Sequence, residues 1–438
     1  MMEWYFALGF LLSLIVLFMG IGTPIALAFL AANVIGSWYF MGGQNGIIQL
    51  LNNGFGSLSK FSLVPIPLFL LMGELFFRSG LGMKMFNAID QLMGKVPGRL
   101  SYVTVVGGTA FSTLSGSSMG STALMGSLLV PEMTKRGYKK HMSIGPILGT
   151  GGLAIIIPPS ALAVLLGTLA KIDIAQLLIA GIIPGLILAL FYIVTIWVRT
   201  RLDPDAAPVY ELEPVPFLAK IKLILTDIIP MVGVMVIIVM MMLTGLATPS
   251  ESAAFGALGV IILGFVYRKM SWAVFTQSVS GSLKVTLMAY LIVFGSATFS
   301  QLLAFSGASS GLIEWATSYD LAPIYMLLAM FGVLLLLGTF MEQISIMMLT
   351  VPFFFPLAET LGFDLIWFGI IILLALEISF TTPPFGLLLF VMKGVAPAGT
   401  SMREIYTAAI PYILCSMLLV ALMIIFPPIA TWLPGMIN

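Results

Sequence analysis

The chain has 438 residues, 60% hydrophobic and 8% charged, with a mean hydropathy of +1.12 and a formal net charge of +1. Soluble domains carry roughly 25% charged residues, so this composition excludes a soluble protein and points to an integral membrane protein. The near-neutral balance leaves no footprint for nucleic acid, and the single cysteine, Cys415, excludes an internal disulfide. The single histidine, His141, follows the basic stretch "KRGYKK" and lacks the thiolates of a zinc centre, so it reads as a membrane-surface residue.

In chain order, the first apolar run, "WYFALGFLLSLIVLFMG", follows an acidic rather than basic start and has no clear small-residue cleavage site. It reads as a retained membrane helix, not a signal peptide. Further runs of crossing length fall at 22–41, 63–79, 142–168, 176–200, 225–246, 249–267, 285–305, 365–392 and 404–428. Two more apolar regions, 99–137 and 322–362, are interrupted by polar residues at "SGSS" (Ser115–Ser118) and "FMEQIS" (Phe340–Ser345). The longest polar stretch, Arg199–Lys222, reads as a cytoplasmic arm on the membrane surface, and Ser271–Lys284 as an interfacial helix. No G-x-x-x-x-G-K-[ST] stretch occurs, so the chain carries no P-loop of its own. The 29 methionines read as lipid-facing or packing residues. "TPSE" (Thr248–Glu251) reads as a capping box with proline at the first helical position.

Lys and Arg mark the cytoplasmic side. Lys84, Lys95 and Arg99 precede the first interrupted region, and Lys135, Arg136, Lys139 and Lys140 follow it, so both its ends are expected inside. Each limb of about 15 residues spans about 22 Å as a helix, short of the ~30 Å hydrocarbon core. The region is therefore expected to be a re-entrant hairpin. Glu314 and Asp320 precede the second interrupted region, and Glu359 and Asp364 follow it, which places its ends outside. Lys60 and Lys171 are the exceptions to this topology, and both termini are expected outside.

The halves repeat. "PEMTKRGY" at Pro131 parallels "PLAETLGF" at Pro356, and "IIIPPS" at Ile155 parallels "FTTPPF" at Phe380, both at an offset of 225 residues (356 − 131 and 380 − 155). With hairpins entering from opposite faces the repeats are inverted, the pattern of secondary transporters with broken helices near mid-membrane. Pro158–Pro159 and Pro383–Pro384 remove backbone donors. In lipid, an unwound segment persists only around a cavity or ligand. Freed carbonyls suit a hard cation, helix N-termini suit an anion, and the hydroxyls of "SGSS" add neutral oxygen ligands. The expected fold is thus an all-α integral membrane protein with inverted repeats, two re-entrant helical hairpins and two Pro-Pro-broken helices. Its expected parts are N-terminal scaffold helices (1–62), a first repeat (63–200, with hairpin 99–137 and broken helix 142–168), an arm and central scaffold helices (201–284), and a second repeat (285–438, with hairpin 322–362 and broken helix 365–392).

At "FSTLSGSSMGSTALMGSLLVPEMTKRGY", "GGLAIIIPPSALAVLLG", "IAGIIPGLILAL", "ATPSESAAFGALG" and "TTPPFGLLLFVMKG" the chain resembles the large membrane subunit of tripartite ATP-independent periplasmic (TRAP) transporters. The resemblance implies an elevator-type carrier in the bacterial inner membrane. It would be Na⁺-coupled and import a small organic acid, such as a dicarboxylate or sialic acid. A periplasmic binding protein would deliver the acid, and a small four-helix membrane subunit, expected here as a separate chain, would assist. Carried over by motif, a first Na⁺ site falls on Ser115, Ser117, Ala154, Ile156 and Pro159. A second falls on Met341, Glu342, Ser379, Thr381 and Thr382, where "FMEQ" and "EISFTT" depart from the family's Asp-containing tip and its Gly before the Thr. Ser118, Thr150, Ser160 and Pro384 are the expected substrate contacts.

Other readings stand beside these. "SGSSMGS" also fits a small-residue packing face. An ion or anion channel is a second class, although no ring of like charge or filter loop occurs. Gly116–Gly120 matches G-x-S-x-G, the nucleophile elbow of serine hydrolases, which requires a strand–turn–helix and a triad partner. Glu251 fits a cap or a proton carrier. Glu74 is read as scaffold or interface. Glu377 fits both a site wall and a structural hydrogen bond.

Overall fold

The structure, a computed structural model, describes residues 3–209, 216–319 and 321–436, leaving aside the side chain of Ser115. Asp320, one of the flanking acids used for topology, and residues 210–215 of the arm lie outside the described residues. Helices account for most of the structure, and no strand occurs among the described residues.

The first two apolar runs form α1 (Trp4–Gly20) and α2 (Ile25–Phe40), separated at Gly22, whose φ of 87° suits glycine. Next come α3 (Gln44–Leu58), α4 (Pro65–Arg78), with proline at its first position, and α5 (Leu81–Leu92). α6 (Arg99–Ser115) and α7 (Ser118–Lys135) meet at a tight turn, and α8 (Lys140–Ile156) and α9 (Ala161–Ala170) flank the first Pro-Pro pair. α10 (Ile174–Ala180) leads into α11 (Ile182–Leu202), whose last turn carries Arg199 and Arg201.

After the arm, α12 (Phe217–Leu223), a π-helical turn and α13 (Ile229–Leu243) form one apolar rod. α14 (Pro249–Val266) begins with the expected capping box: Glu251 N–H donates to Thr248 Oγ1 at 3.3 Å, and Thr248 N–H donates back to Glu251 Oε2 at 2.8 Å. α15 (Trp272–Phe305) and α16 (Ala308–Thr317) follow, then α17 (Pro323–Gly338) and α18 (Gln343–Thr360), α19 (Leu365–Thr381) and α20 (Leu387–Val395), α21 (Met402–Ile425) and the short α22 (Pro428–Thr431).

Among the described residues, seven helices are long and apolar enough to cross a membrane, eight if α8 and α9, bent by 45° at their break, count as one. Large apolar side chains on α1, α13, α14 and α21 face outward, for example Leu17, Ile237, Phe265 and Leu414, as lipid contact requires. The protein is a multi-pass membrane protein.

One expectation needs correction. Ser271–Lys284 is not a separate interfacial helix but the start of α15, a continuous rod of 34 residues. Ser278, Ser282 and Thr286, four residues apart, are buried on one face of it, and α15 packs along α4. A Cβ at Gly281 would meet the Glu74 carboxyl at 2.8 Å, so glycine lets the two helices close. That packed stripe holds the segment in line with the rest of α15.

The main core joins α4–α11, α13–α15 and α17–α21. A second core unites α1 and α2 with α15, α16 and Met348 of α18 through Phe29, Phe299 and Leu302. α8 and α19 are buried along almost their whole lengths, so the two broken helices form the centre of the molecule.

Candidate functional site

The first turn of interest follows from its residues. Gly116 ends α6 in the left-handed region (φ 62°), with nothing within 4 Å of where a Cβ would stand. Ser117 then adopts extended backbone and caps α7, its Oγ accepting from Gly120 N–H at 3.1 Å. Ser118 opens α7; it is 6% exposed, and its Oγ has no hydrogen-bond partner. One turn on, Thr122 is fully buried and its Oγ1 is also unpartnered. A Cβ at Gly151 of α8 would collide with Thr122 Oγ1 and stand 3.4 Å from the Ser118 carbonyl oxygen. Glycine at 151 therefore brings the start of α7 onto α8, just before the break.

At that break, both Pro158–Pro159 and Pro383–Pro384 are cis. Ser160 caps α9, accepting from Ala163 N–H at 3.2 Å while donating to the Ile155 carbonyl at 2.6 Å. Ala154 and Ile156 lie buried in the last turn of α8, and the Ile156 carbonyl is turned to Gly181, whose Cβ would fall 1.9 Å from it. Of the expected first cation set, Ser117, Ala154, Ile156 and Pro159 lie in this tip-and-break region. The side chain of Ser115 lies outside the described residues.

The second turn is longer, with four residues between α17 and α18, and has no left-handed glycine. Met341 lies between α17 and α18, and Glu342 stands at the N-cap of α18, accepting from Ser345 Oγ at 3.3 Å. Gly338, the last residue of α17, packs on Ser379 of α19, where a Cβ would meet Ser379 Oγ at 1.9 Å. Ser379, Thr381 and Thr382 donate their hydroxyl protons to carbonyls of their own helix: Ser379 to Leu376 at 2.8 Å, Thr381 to Ile378 at 3.1 Å and Thr382 to Ile378 at 2.5 Å. Their lone pairs remain to accept or to coordinate. The carbonyls of Phe380 and Thr382 converge over Gly386, both within 3.0 Å of where its Cβ would be.

This donor set, neutral hydroxyls and carbonyls with one nearby carboxylate, suits a hard monovalent cation. The orphaned buried hydroxyls of Ser118 and Thr122 fit such a ligand. No cluster of three His, Cys, Asp or Glu occurs among the described residues.

Between the two turns lies a cavity of about 290 Å³. One side is formed by Gly116–Met119, Glu342–Ile344, Ala161, Leu162, Leu165 and Phe380; the other by Ile66, Leu70 and Glu74 of α4 and by Ser282, Val285, Met288 and Ala289 of α15. Ser118, among the expected substrate contacts, is on its wall. Thr150, Ser160 and Pro384 do not line it. Thr150 donates to the Pro146 carbonyl, Ser160 is occupied at the α9 cap, and the Pro384 carbonyl accepts from Tyr406.

Sequence reasoning missed Thr122, Gln343 and the cavity role of Glu74. Glu74 is paired with Arg78 at 2.6 Å. Gln343 lines the cavity and reaches Glu377 Oε2 and the Leu376 carbonyl, both at 3.5 Å. Glu377 is 3% exposed and sits over Gly152 of α8, with no Lys or Arg paired to it among the described residues. The Gly116–Gly120 stretch has helix on both sides, not the strand–turn–helix of a nucleophile elbow.

Known proteins resemble the chain in sequence and fold. Residues 11–429 match the family "Tripartite ATP-independent periplasmic transporter, DctM component". The C4-dicarboxylate TRAP transporter large permease protein DctM of Pseudomonas aeruginosa is 31% identical over 385 residues, covering 87% of this chain and 88% of that one. The isethionate TRAP transporter permease protein DctMQ of Oleidesulfovibrio alaskensis is 28% identical over 424 residues, 96% of this chain but 64% of that longer one. Among solved structures, the YdaH transporter of Alcanivorax borkumensis shares the fold, with a TM-score of 0.63 over 90% of each chain at 12% identity. The chain therefore belongs to the DctM component family of tripartite ATP-independent periplasmic transporters, and it is a transporter permease, not an enzyme.

Proposed function

We propose that this chain is the transport subunit of a Na⁺-coupled importer of a small organic acid. It works in the bacterial inner membrane by an elevator movement, with a periplasmic binding protein and a small four-helix membrane subunit as partners. The observation that carries this reading is the cavity shared by both tips on one wall and by α4 and α15 on the other. A body that holds its ligand at two tips and slides along a fixed wall exposes it first to one side, then to the other.

Three further observations support the reading. α7 and α18 begin and end 225 residues apart, as do α8 and α19 (343 − 118 and 381 − 156), in keeping with an internal repeat. The basic and acidic flanks of the two hairpins favour opposite membrane faces, hence re-entrant and inverted elements. On this view α6–α9 and α17–α20 move together, while α1–α4 and α13–α15 form the scaffold. The names of the relatives, which carry C4-dicarboxylates and isethionate, fit an organic anion.

Na⁺ would be held at the first tip by Ser115, Ser117 and Thr122 with carbonyls near Ala154–Pro159. At the second it would be held by Met341, Glu342, Ser379, Thr381 and Thr382. When bound, it supplies positive charge beside the substrate's carboxylate and draws energy from its own gradient. The test is uptake into proteoliposomes containing the small subunit and loaded binding protein. Uptake should require an inward Na⁺ gradient; equal uptake driven by a proton gradient without Na⁺ would end the Na⁺ reading.

A further inference from the structure

Three polar side chains on the cavity wall share a chemical trait: each is placed to accept a hydrogen bond from a ligand. On the scaffold side Glu74 presents a carboxylate, its side chain 29% exposed. Arg78 Nε donates to Glu74 Oε2 at 2.6 Å, but Arg78 does not line the cavity. A carboxylate offers about four acceptor positions, so capacity remains. Gly281 of α15 packs on the Glu74 carboxyl, and the next residue, Ser282, lines the cavity with it. Ser282 Oγ donates its proton to the Val279 carbonyl at 3.0 Å, which leaves its lone pairs for a ligand.

Gln343, at the second tip, is the third. Its Nε2 lies 3.5 Å from the Leu376 carbonyl and 3.5 Å from Glu377 Oε2. A carbonyl can only accept, so the amide nitrogen belongs on that side and the amide oxygen is left for the cavity. Glu342, beside it, is engaged as a cation ligand in the function proposed above. No Lys, Arg or His lines the cavity among the described residues. Acceptors closed away from water need donors from whatever fills the space. A site built this way rejects an analogue that lacks them.

We infer that the carried acid bears a hydrogen-bond donor besides its carboxylate, a hydroxyl or an ammonium group, and that Glu74, Ser282 and Gln343 recognise that donor. The inference rests on the function proposed above, in which Na⁺ stands beside the carboxylate, and narrows its substrate class.

Four acids of equal length isolate the donor. Pentanoate ends in a methyl, 4-hydroxybutanoate in a hydroxyl and 4-aminobutanoate in an ammonium, while 3-methoxypropanoate carries an ether oxygen that only accepts. Their affinities for the full chain in nanodiscs, in NaCl, can be read from ligand-induced shifts in thermal unfolding. A net hydrogen bond of about 0.5–1.5 kcal/mol is roughly 2- to 13-fold in affinity. One or both donor-bearing acids should lead pentanoate and the ether by that factor. Glu74→Gln keeps an amide oxygen but removes the charge, so it separates the two donors: a 4-aminobutanoate lead lost there assigns ammonium, and a 4-hydroxybutanoate lead kept there assigns hydroxyl. Glu74→Leu with Ser282→Ala should shrink either lead while pentanoate still binds.

Equal binding of the four acids, or tightest binding by pentanoate or the ether, overturns the donor inference and leaves the carrier reading standing. A lead of full size in the double variant also overturns it. If the double variant binds no acid, Gln343→Leu takes its place, and a lead unchanged there and in Glu74→Gln overturns the inference. If neither Na⁺ nor any acid shifts unfolding of the parent chain, the inference and the carrier reading fall together.

Discussion

Gly152→Ala offers the sharpest check on how the centre is packed. A Cβ at Gly152 would stand 1.7 Å from Glu377 Oε1, 2.0 Å from its Cδ and 2.5 Å from its Cγ. The whole side chain must therefore swing inside a packed interior, since Glu377 is 3% exposed and the small cavity it lines is bounded by Tyr192, Tyr412 and Ser416. Overpacking a core costs about 1–3 kcal/mol. Pulling the carboxyl away from Gln343 leaves a buried polar group short of a partner, about 1–3 kcal/mol more. Alanine returns about 1 kcal/mol of helix propensity. The net is a loss of about 3 kcal/mol at the centre of the range. Thermal unfolding in detergent should show a clear drop for Gly152→Ala. Gly9→Ala is the control: Gly9 lies inside α1 with nothing within 4 Å of its Cβ position, so stability there should hold or rise slightly. Glu377→Ala removes the obstacle, so in a double-mutant cycle Gly152→Ala should cost far less on that background. If Gly152→Ala is as stable as the parent, or costs the same with and without Glu377, the α8–α19 contact is not as described and the reasoning fails.

Cysteines replacing Lys95 and Lys139, in a Cys415→Ser background, should both label only from the cytoplasm, and cysteines at Glu314 and Asp364 only from outside; labelling on opposite sides within either pair would remove the re-entrant hairpins. Thr122→Val keeps the shape of a buried residue but deletes an orphaned hydroxyl. At about 1–1.5 kcal/mol per hydrogen-bond-scale interaction it should raise the Na⁺ concentration for half-maximal transport about 5- to 13-fold, and an unchanged Na⁺ dependence would assign the α7 hydroxyls to packing. Thr248→Ala removes one arm of the α14 capping box and should lower stability by about 1 kcal/mol without altering Na⁺ dependence; a changed Na⁺ dependence would instead tie the α14 start to the cation sites.

The membrane character, most spanning helices and both candidate tips were legible in the sequence because their causes are local. An apolar run of membrane length needs no partner to be recognised, as in α14 and α21. Paired prolines interrupt a helix wherever they occur, and the breaks after Ile156 and Thr381 fall at them. Thr248 and Glu251 cap α14 across three residues of chain. The sequence could not supply what depends on surfaces meeting. α3 and α5, too polar to read as spans, hold as helices because one face of each is packed: α3 through Gly46, Leu50 and Gly54 against α2 and α15, and α5 through Leu81, Met85, Phe86 and Ile89 against its neighbours, α6 among them. α15 runs straight through the segment expected at the interface because its Ser278–Ser282–Thr286 face closes on α4. Glu74 and Gln343, 269 positions apart (343 − 74), share one cavity only because α4 and the second tip converge on it. Whether a buried acid is a wall, a cap or a partner is set by what packs against it, and no short-range pattern encodes a neighbour hundreds of residues away.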